Sequence, residues 1–415
     1  MGAFIGREVK VLLLVLDGLA DTTHEELGWR TPLQAARTKT LDFLASGGAQ
    51  GLLYPLGPGT CPSSEVAHWA IFGYDPPSFP GRTYLHALHH GIGVSRDEAL
   101  FTANVVRIVP GAEGPLKGGI VKLGSDRMEA FVAAWNRLLP PGVRAVFMDE
   151  DDILLAVEKG SRMVVTSDPF LVGHPLRRIS PRAGWEDKPS ARRTARLVSQ
   201  AMLAGEDALR EAGLNPERLS GEALGLVIKW PSRALPPEPW SRRHGMEAGA
   251  VVSTPCFSGM AAALGMKVRW SGSEEPGEDL SLKLWEARGL FEEGCDFVFV
   301  HTKHADEAAH TGRPSLKVEV IEAMDQALAE SDLLDRDDLL WVITCDHPTP
   351  SLGDGRVIHG GDPVPVLFHG GLARRDLVDR FDEVSAASGG YGRLEGREVM
   401  ELARYLSLRA GYFTG

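Results

Sequence analysis

The chain has 415 residues, of which 43% are hydrophobic and 24% charged, and its formal net charge is −12. A chain of this length can bury a large core in two or three domains. Its acidic balance argues against nucleic acid or an anionic membrane as a partner, while a local basic pocket for a phosphorylated compound stays compatible with it. The four cysteines form no C-x-x-C pair, which favours a reducing, cytoplasmic setting over a disulfide framework or a zinc ribbon.

The first predicted element is a buried strand at residues 10–18, KVLLLVLDG. The start of the chain imitates a signal peptide, but the apolar run stops at Asp17 and no small-residue cleavage site follows. Similar runs occur at 296–303, 339–347 and 364–371, with helical segments between them. This alternation predicts a mostly parallel sheet covered by helices, and no stretch approaches the length of a membrane span.

Residues 60–76, TCPSSEVAHWAIFGYDP, place two serines just before a predicted helix. A serine at this position can cap the helix. It can also act as a nucleophile toward a phosphate, because the N-H groups and the positive dipole end of the helix lie beside it. The local residues leave both interpretations open.

The segment that follows reads as a separate, smaller α/β domain. Strand-like runs between about residues 100 and 175 surround one helix, and Pro- and Gly-rich stretches flank them. We therefore expect a core domain formed by residues 1–80 and 185–415, and an inserted domain formed by residues 81–184.

Four Asp/His groups stand at the ends of the predicted core strands. Each group alone has an ordinary structural interpretation, as a solvated helix face, a turn, a loop histidine or a cap. Ligands of open α/β sheets bind beyond the carboxyl ends of the strands, so four such groups together indicate one site. Without a thiolate they suit two divalent ions such as Mn, Zn or Mg, which would activate a serine hydroxyl. The residues are Asp17, Asp306, His310, Asp346, His347 and His359.

An ordered set of motifs resembles a known family. The motifs are VLLLVLDGLAD, TPLQAARTKTLDFLA, PSSEVAHWAIFGYDP, PGR, HTKHADEAAHTG, TCDHPTP and HGGDPVPVL. In this order they resemble the cofactor-independent phosphoglycerate mutases of the archaeal type, members of the alkaline phosphatase superfamily. The resemblance implies an alkaline-phosphatase-like α/β fold, with a mostly parallel sheet flanked by helices and an inserted domain that closes over it. It also implies a small phosphorylated substrate and a role in glycolysis.

The resemblance assigns roles residue by residue. It implies that Ser64 is the phosphorylated nucleophile, with Ser63 at a position where the family usually has glycine. Lys303 stands beside the metal motif and is expected to touch the phosphate. One ion would be held by Asp17, Ser64, Asp346 and His347, and the other by Asp306, His310 and His359.

The inserted domain departs from the family pattern. Arg82, Asn104 and Arg127 are expected to bind the substrate, but Thr102 stands where the family has an arginine and His86 where a glutamate is common.

Three alternative functions are compatible with the sequence. The first is a mutase that interconverts 3-phosphoglycerate and 2-phosphoglycerate. The second is a metal-dependent phosphomonoesterase with another substrate, and the third is a non-catalytic relative. The sequence leaves the oligomeric state open.

Overall fold

The computed structural model describes residues 9–109, 115–149, 151–214, 223–352 and 359–409. The strands of these ranges are β1 (Lys10–Leu16), β2 (Ala49–Tyr54), β3 (Ala99–Ile108), β4 (Leu116–Ile120), β5 (Val143–Phe147), β6 (Ile153–Val157), β7 (Val164–Val165), β8 (Ser180–Pro181), β9 (Ala223–Arg233), β10 (Ala248–Val252), β11 (Lys267–Trp270), β12 (Phe297–Thr302), β13 (Leu339–Thr344), β14 (Val364–His369) and β15 (Gly392–Glu395). The helices are α1 (Pro32–Ala35), α2 (Lys39–Gly47), α3 (Ser64–Ile71), α4 (Arg82–His89), α5 (Ser125–Leu138), α6 (Pro189–Glu211), α7 (Trp240–His244), α8 (Pro255–Ala263), α9 (Pro276–Glu292), α10 (His304–His310), α11 (Pro314–Ala329) and α12 (Gly396–Leu406).

The chain divides into two compact units. The core unit comprises Met1–Phe79 and Glu238–Gly415, and the inserted unit comprises Pro80–Pro237. The core unit contains a sheet with the strand order β11-β10-β12-β1-β13-β14-β2-β15, against which helices such as α2, α9 and α12 pack. Among the described strands of this sheet, β14 alone runs antiparallel to its neighbours. The predicted α/β class, with a mostly parallel sheet flanked by helices, is therefore confirmed.

Three adjacent central strands of this sheet are those that the apolar runs predicted. β1 lies between β12 and β13, parallel to both, and all residues of β12 and β13 are buried. Strands buried on both faces read as continuous apolar runs, which is why the sequence revealed them. Because β14 is antiparallel, its first residues lie at the same edge as the carboxyl ends of β1, β12 and β13. The predicted Asp/His groups therefore share one edge.

The inserted unit is built on an antiparallel sheet. β3 pairs with β9 along its length and with β4 and β6 at its two ends, while β5 pairs with β6. Helices α5 and α6 pack on each other, and their apolar side chains form a core with those of the sheet. The Trp135 indole N-H of α5 donates a 2.8 Å hydrogen bond to the Ala201 carbonyl of α6.

The second boundary of the inserted unit differs from the expected one. The sequence placed it between residues 184 and 185, whereas the structure places it between Pro237 and Glu238. Residues 185–237 supply α6 and the strand β9, which pairs with β3. This pairing joins residues more than a hundred positions apart, so local composition does not reveal it.

In the part of the chain that the structure describes, every helix is too short or too polar to cross a membrane.

Candidate active site

The first Asp/His cluster lies at the carboxyl ends of two neighbouring strands. Asp17 follows β1 directly, and Asp346 and His347 follow β13. Each of the three offers a ligand atom, and these atoms lie within 4.8 Å of one another. Asp17 is 5% exposed, and the other two residues are fully buried. The parallel pairing of β1 with β13 brings these side chains together across more than 300 residues of chain.

This cluster fits a cation. Asp17 Oδ1 and Asp346 Oδ2 are buried oxygens with no hydrogen-bond partner among the described residues. His347 Nε2 lies 3.4 Å and 3.1 Å from these two oxygens, respectively. Burial, followed by the neighbouring charges of Asp346 and Asp306, raises the pKa of Asp17 well above its usual range. Acceptors that converge in this way without donors are what a bound metal ion satisfies.

Ser64 belongs to the same cluster. Ser63 is the N-cap of helix α3 and makes no side-chain capping bond, while Ser64 is the first helical residue. The Ser64 hydroxyl lies 2.9 Å from His347 Nε2. The local sequence left capping and nucleophilic roles open. The structure directs the Ser64 side chain toward the cluster rather than toward the end of the helix.

The second cluster contains Asp306, His310 and His359, whose ligand atoms also lie within 4.8 Å of one another. Asp306 and His310 are on one face of α10, and His310 Nε2 is 3.2 Å from Asp306 Oδ2. His359 Nε2 is 3.9 Å from Asp306 Oδ1. His359 Nδ1 donates to the Pro62 carbonyl at 2.9 Å, which leaves Nε2 free to serve as a metal ligand.

The hydroxyl of Thr349 connects the two clusters. It donates a 2.7 Å hydrogen bond to Asp306 Oδ1 and lies 3.0 Å from His347 Nδ1. Because the hydroxyl proton is given to Asp306, the Thr349 oxygen accepts from His347 Nδ1-H. This assignment leaves His347 Nε2 without a proton in the neutral ring, as a metal ligand requires.

Two further histidines beside the first cluster were not predicted. His301, in β12, lies with Nε2 3.0 Å from Asp17 Oδ2, and His68 Nδ1 donates to the Ser64 carbonyl at 2.7 Å. Both are buried, and burial lowers both of their pKa values. A histidine inside an otherwise apolar strand, as in FVFVHT, was the available indication for His301.

Comparisons with known proteins agree with this geometry. The sequence profile of the Metalloenzyme superfamily matches residues 9–404. A 2,3-bisphosphoglycerate-independent phosphoglycerate mutase from Methanopyrus kandleri is 34% identical to the chain, over 98% of the chain and 99% of the relative. The chain belongs to this mutase family. A mutase of the same name from Pyrococcus furiosus is 31% identical over 98% of the chain and 99% of the relative.

Solved structures support membership of the mutase family. A protein from Pyrococcus horikoshii superposes with a TM-score of 0.78 and 27% identity, over 98% of this chain and all of that one. A cofactor-independent phosphoglycerate mutase from Thermoplasma acidophilum superposes with a TM-score of 0.64 and 26% identity, over 96% of this chain and all of that one. Since the mutase family lies within a metalloenzyme superfamily, divalent metal dependence is a property of the chain.

Lys303, the other catalytic residue expected of a mutase, lies at the start of α10. Its ammonium forms an ion pair with Glu307, one turn along the same helix, and its side chain is 40% exposed. The structure thus places Lys303 next to the metal motif and pairs it with a carboxylate. A contact between Lys303 and a phosphate stays a prediction.

The candidate substrate residues of this mutase family member lie in the inserted unit, and two of them are connected. Arg82 Nε donates to His86 Nε2 at 3.4 Å, and His86 Nδ1 is 3.3 Å from Asp152 Oδ2. The buried Asn104 donates to Asp152 Oδ1 at 2.6 Å. Arg127 instead lies exposed on α5, outside this chain of contacts.

Proposed function

We propose that the chain interconverts 3-phosphoglycerate and 2-phosphoglycerate by transferring a phosphoryl group through Ser64. The observation that carries the proposal is the Ser64 hydroxyl 2.9 Å from His347 Nε2, where the Asp17 and Asp346 carboxylates also converge. The relatives that match the whole chain, and that carry the mutase name, support the substrate class.

We further propose two divalent ions, of Mn, Zn or Mg. When bound, they would neutralise charge on the phosphoryl group and lower the pKa of the serine hydroxyl. The first would be held by Asp17, Ser64, Asp346 and His347, and the second by Asp306, His310 and His359.

The residues of the chain then have distinct tasks. In the first transfer, Ser64 Oγ forms a bond to phosphorus while the bond to the substrate oxygen breaks, and the serine proton passes to the departing oxygen. Thr349 holds His347 with Nε2 toward Ser64. The second transfer reverses these steps onto the neighbouring hydroxyl of the glycerate. Lys303 would stabilise phosphoryl charge from the start of α10.

Retention of the glycerate between the two transfers distinguishes a mutase from a phosphatase. We assign that retention to the inserted unit, as a substrate-binding unit that excludes water. A phosphomonoesterase is the second candidate, because Thr102 and His86 replace the arginine and the glutamate that the resemblance expects. The cytoplasmic setting expected from the cysteines forms part of the proposal.

The test is incubation of the metal-loaded protein with 3-phosphoglycerate. Formation of 2-phosphoglycerate without free phosphate supports the mutase, and free phosphate alone supports the phosphomonoesterase. Ser64→Ala should abolish turnover and the phosphoenzyme. Ser63→Ala is the matched control, because the Ser63 side chain makes no capping bond. Turnover that survives Ser64→Ala would overturn the serine mechanism, and bound metal without turnover of any phosphoester would indicate a non-catalytic relative.

A further inference from the structure

The core unit contains a charged cavity outside both Asp/His clusters. Its volume is about 260 Å³, below the roughly 300–1,000 Å³ of pockets for drug-sized ligands, so it suits a compact ligand. Four arginines and two glutamates line it, and all of them belong to the core unit: Arg242, Arg243, Arg397, Arg404, Glu238 and Glu401. The charged side chains of the lining thus carry an excess of positive charge, although the net charge of the chain is −12.

The cavity lies at the end of α3 that is opposite to Ser64. Ser64 is the first residue of this helix, whereas Gly73, which lines the cavity, follows its last turn. The 8 residues of the helix span about 12 Å. Within the described ranges, no member of either Asp/His cluster lines the cavity. A ligand here would therefore leave the proposed phosphoryl site free.

Helix α12 forms one wall of the cavity. Its lining residues Arg397, Met400, Glu401 and Arg404 are spaced at three, four and seven positions, and therefore share one face of the helix. The two arginines are two turns apart, which is about 10 Å along the helix axis. Two long arginine side chains can span this distance and contact a single ligand.

The other two arginines have structural partners. Arg242 and Arg243 both pair with Glu238, each at 3.4 Å. Arg243 also donates to the Gly73 carbonyl, and its guanidinium carbon lies 4.6 Å from the centroid of the Tyr74 ring. These contacts connect α7 to the segment that follows α3, so they account for both arginines without a ligand.

Arg404 is not satisfied in this way. Its Nε-H is buried and has no hydrogen-bond acceptor among the residues that the structure describes, while Nη2 makes a long contact of 3.5 Å with the Arg409 carbonyl. A charged donor that is buried without an acceptor is costly, and a bound group commonly supplies the acceptor. Arg397 pairs with Glu395 at 3.3 Å, but its side chain is 64% exposed, so this pair holds it weakly.

We propose that this cavity binds a phosphate group between Arg404 and Arg397, either as the free ion or as part of a small phosphorylated compound. A phosphate group carries about 1.5 to 2 negative charges at pH 7, which complement the positive lining. Its oxygens accept paired hydrogen bonds from a planar guanidinium, and would give the Arg404 Nε-H its acceptor. The inference does not depend on the proposed function, because none of the groups that carry out that function lines this cavity.

The test is equilibrium dialysis of the magnesium-loaded protein against radiolabelled sulfate at constant ionic strength. Sulfate is a tetrahedral dianion like phosphate and cannot donate a phosphoryl group. Arg404→Gln should weaken sulfate binding by about tenfold or more, and Arg397→Gln by about threefold or more. Glu401→Gln should instead tighten it by about twofold to fivefold, because it removes a negative charge from the lining.

Arg393→Gln is the matched control, since Arg393 is exposed on β15 and does not line the cavity. It should change sulfate affinity by less than about twofold. Thermal melts show which variants fold, and if Arg404→Gln does not, the opposite shifts at the exposed Arg397 and Glu401 decide. Sulfate held at the Asp/His clusters would not respond to these substitutions. The proposal is overturned if the wild type binds no saturable sulfate, or if the arginine variants bind it as tightly as the wild type.

Competition against the label identifies the source of the phosphate group. Unlabelled phosphate tests the free ion, and ethylphosphonate, whose C-P bond is not hydrolysed, mimics a phosphate monoester. Displacement by both at similar concentrations indicates a phosphorylated compound, and displacement by phosphate alone indicates the free ion. If neither displaces the sulfate whose binding depends on Arg404, the proposal fails.

Discussion

Thr349 Oγ donates a 2.7 Å hydrogen bond to Asp306 Oδ1, and thereby joins the two Asp/His clusters. The same oxygen accepts from His347 Nδ1 at 3.0 Å. One hydroxyl thus orients a carboxylate of the second cluster and the imidazole of the first. Contacts of this kind fix the direction and the protonation of metal ligands.

Thr349→Val should therefore weaken metal binding at both clusters. We expect about a 10- to 100-fold loss of metal affinity, as is typical for partners of metal ligands. The measurement is activity and bound metal as a function of free Mn²⁺. Thr349→Ser keeps the hydroxyl and should stay within a few-fold of the wild type. Equal metal affinity in the valine and serine variants would show that the hydroxyl does not orient the ligands.

Gly18→Ala should disrupt the site through direct overlap. A Cβ at Gly18 would lie 2.7 Å from Asp306 Cβ and from Thr349 Oγ, and the backbone there has φ +64°. Gly28 has φ +67°, and no atom of the described residues lies within 4 Å of such a Cβ. Gly28→Ala therefore isolates the backbone cost of about 1–2 kcal/mol. Urea unfolding and metal titration of both variants test this. The prediction fails if the two variants lose equal stability and Gly18→Ala binds metal normally.

Lys317→Met should destabilise the core unit. Lys317 Nζ is fully buried and donates to Asp21 Oδ2 and to the carbonyls of Ala20 and Thr349, each at 3.0 Å. Burial would raise the pKa of Asp21, but the Lys317 charge and the Ser351 hydroxyl lower it.

Removing the lysine leaves a buried carboxylate without its cation, which costs about 3–5 kcal/mol. Arg37→Met is the control, since the Arg37 side chain that pairs with Glu322 is 82% exposed. This variant should leave the urea midpoint almost unchanged. Similar midpoints for the two variants would contradict the prediction.

His244 should make the stability of the core unit depend on pH. Burial lowers the pKa of His244 from 6.5 to about 4, and the neutral ring donates Nε2-H to the Phe72 carbonyl at 2.9 Å. At a pH between these two pKa values, His244 binds a proton in the unfolded chain but not in the folded chain. The free energy of unfolding therefore decreases as the pH falls from 6.5 toward 4, by up to about 3 kcal/mol.

The measurement is urea unfolding of the wild type and His244→Gln at pH 7 and pH 5. Glutamine can donate to the same carbonyl but does not titrate. The wild type should lose more stability between the two pH values than the variant does. An equal loss in both proteins would assign the pH dependence to other groups.

The class of the fold and most of the candidate metal ligands could be predicted from the amino-acid sequence alone. Continuous apolar runs identify strands of a parallel sheet that are buried on both faces. The carboxyl ends of parallel strands lie at the same edge of the sheet, so the Asp or His residues that end these runs lie close together. Asp17, Asp346 and His347 could be found in this way, because each lies directly beyond such a run. His359 gained weight only beside the other three groups, since a loop histidine before a strand carries little information alone.

Which side chains contact one another depends on how distant segments of the chain pack together. The hydrogen bond to His347, a residue 283 positions away, distinguishes Ser64 from Ser63 as the candidate nucleophile. Thr349 became a connection between the clusters only through contacts between distant segments. The boundary at Pro237 likewise depends on the pairing of β9 with β3. Local sequence patterns determine burial and element type, whereas strand register and side-chain direction are set by pairing across the whole chain.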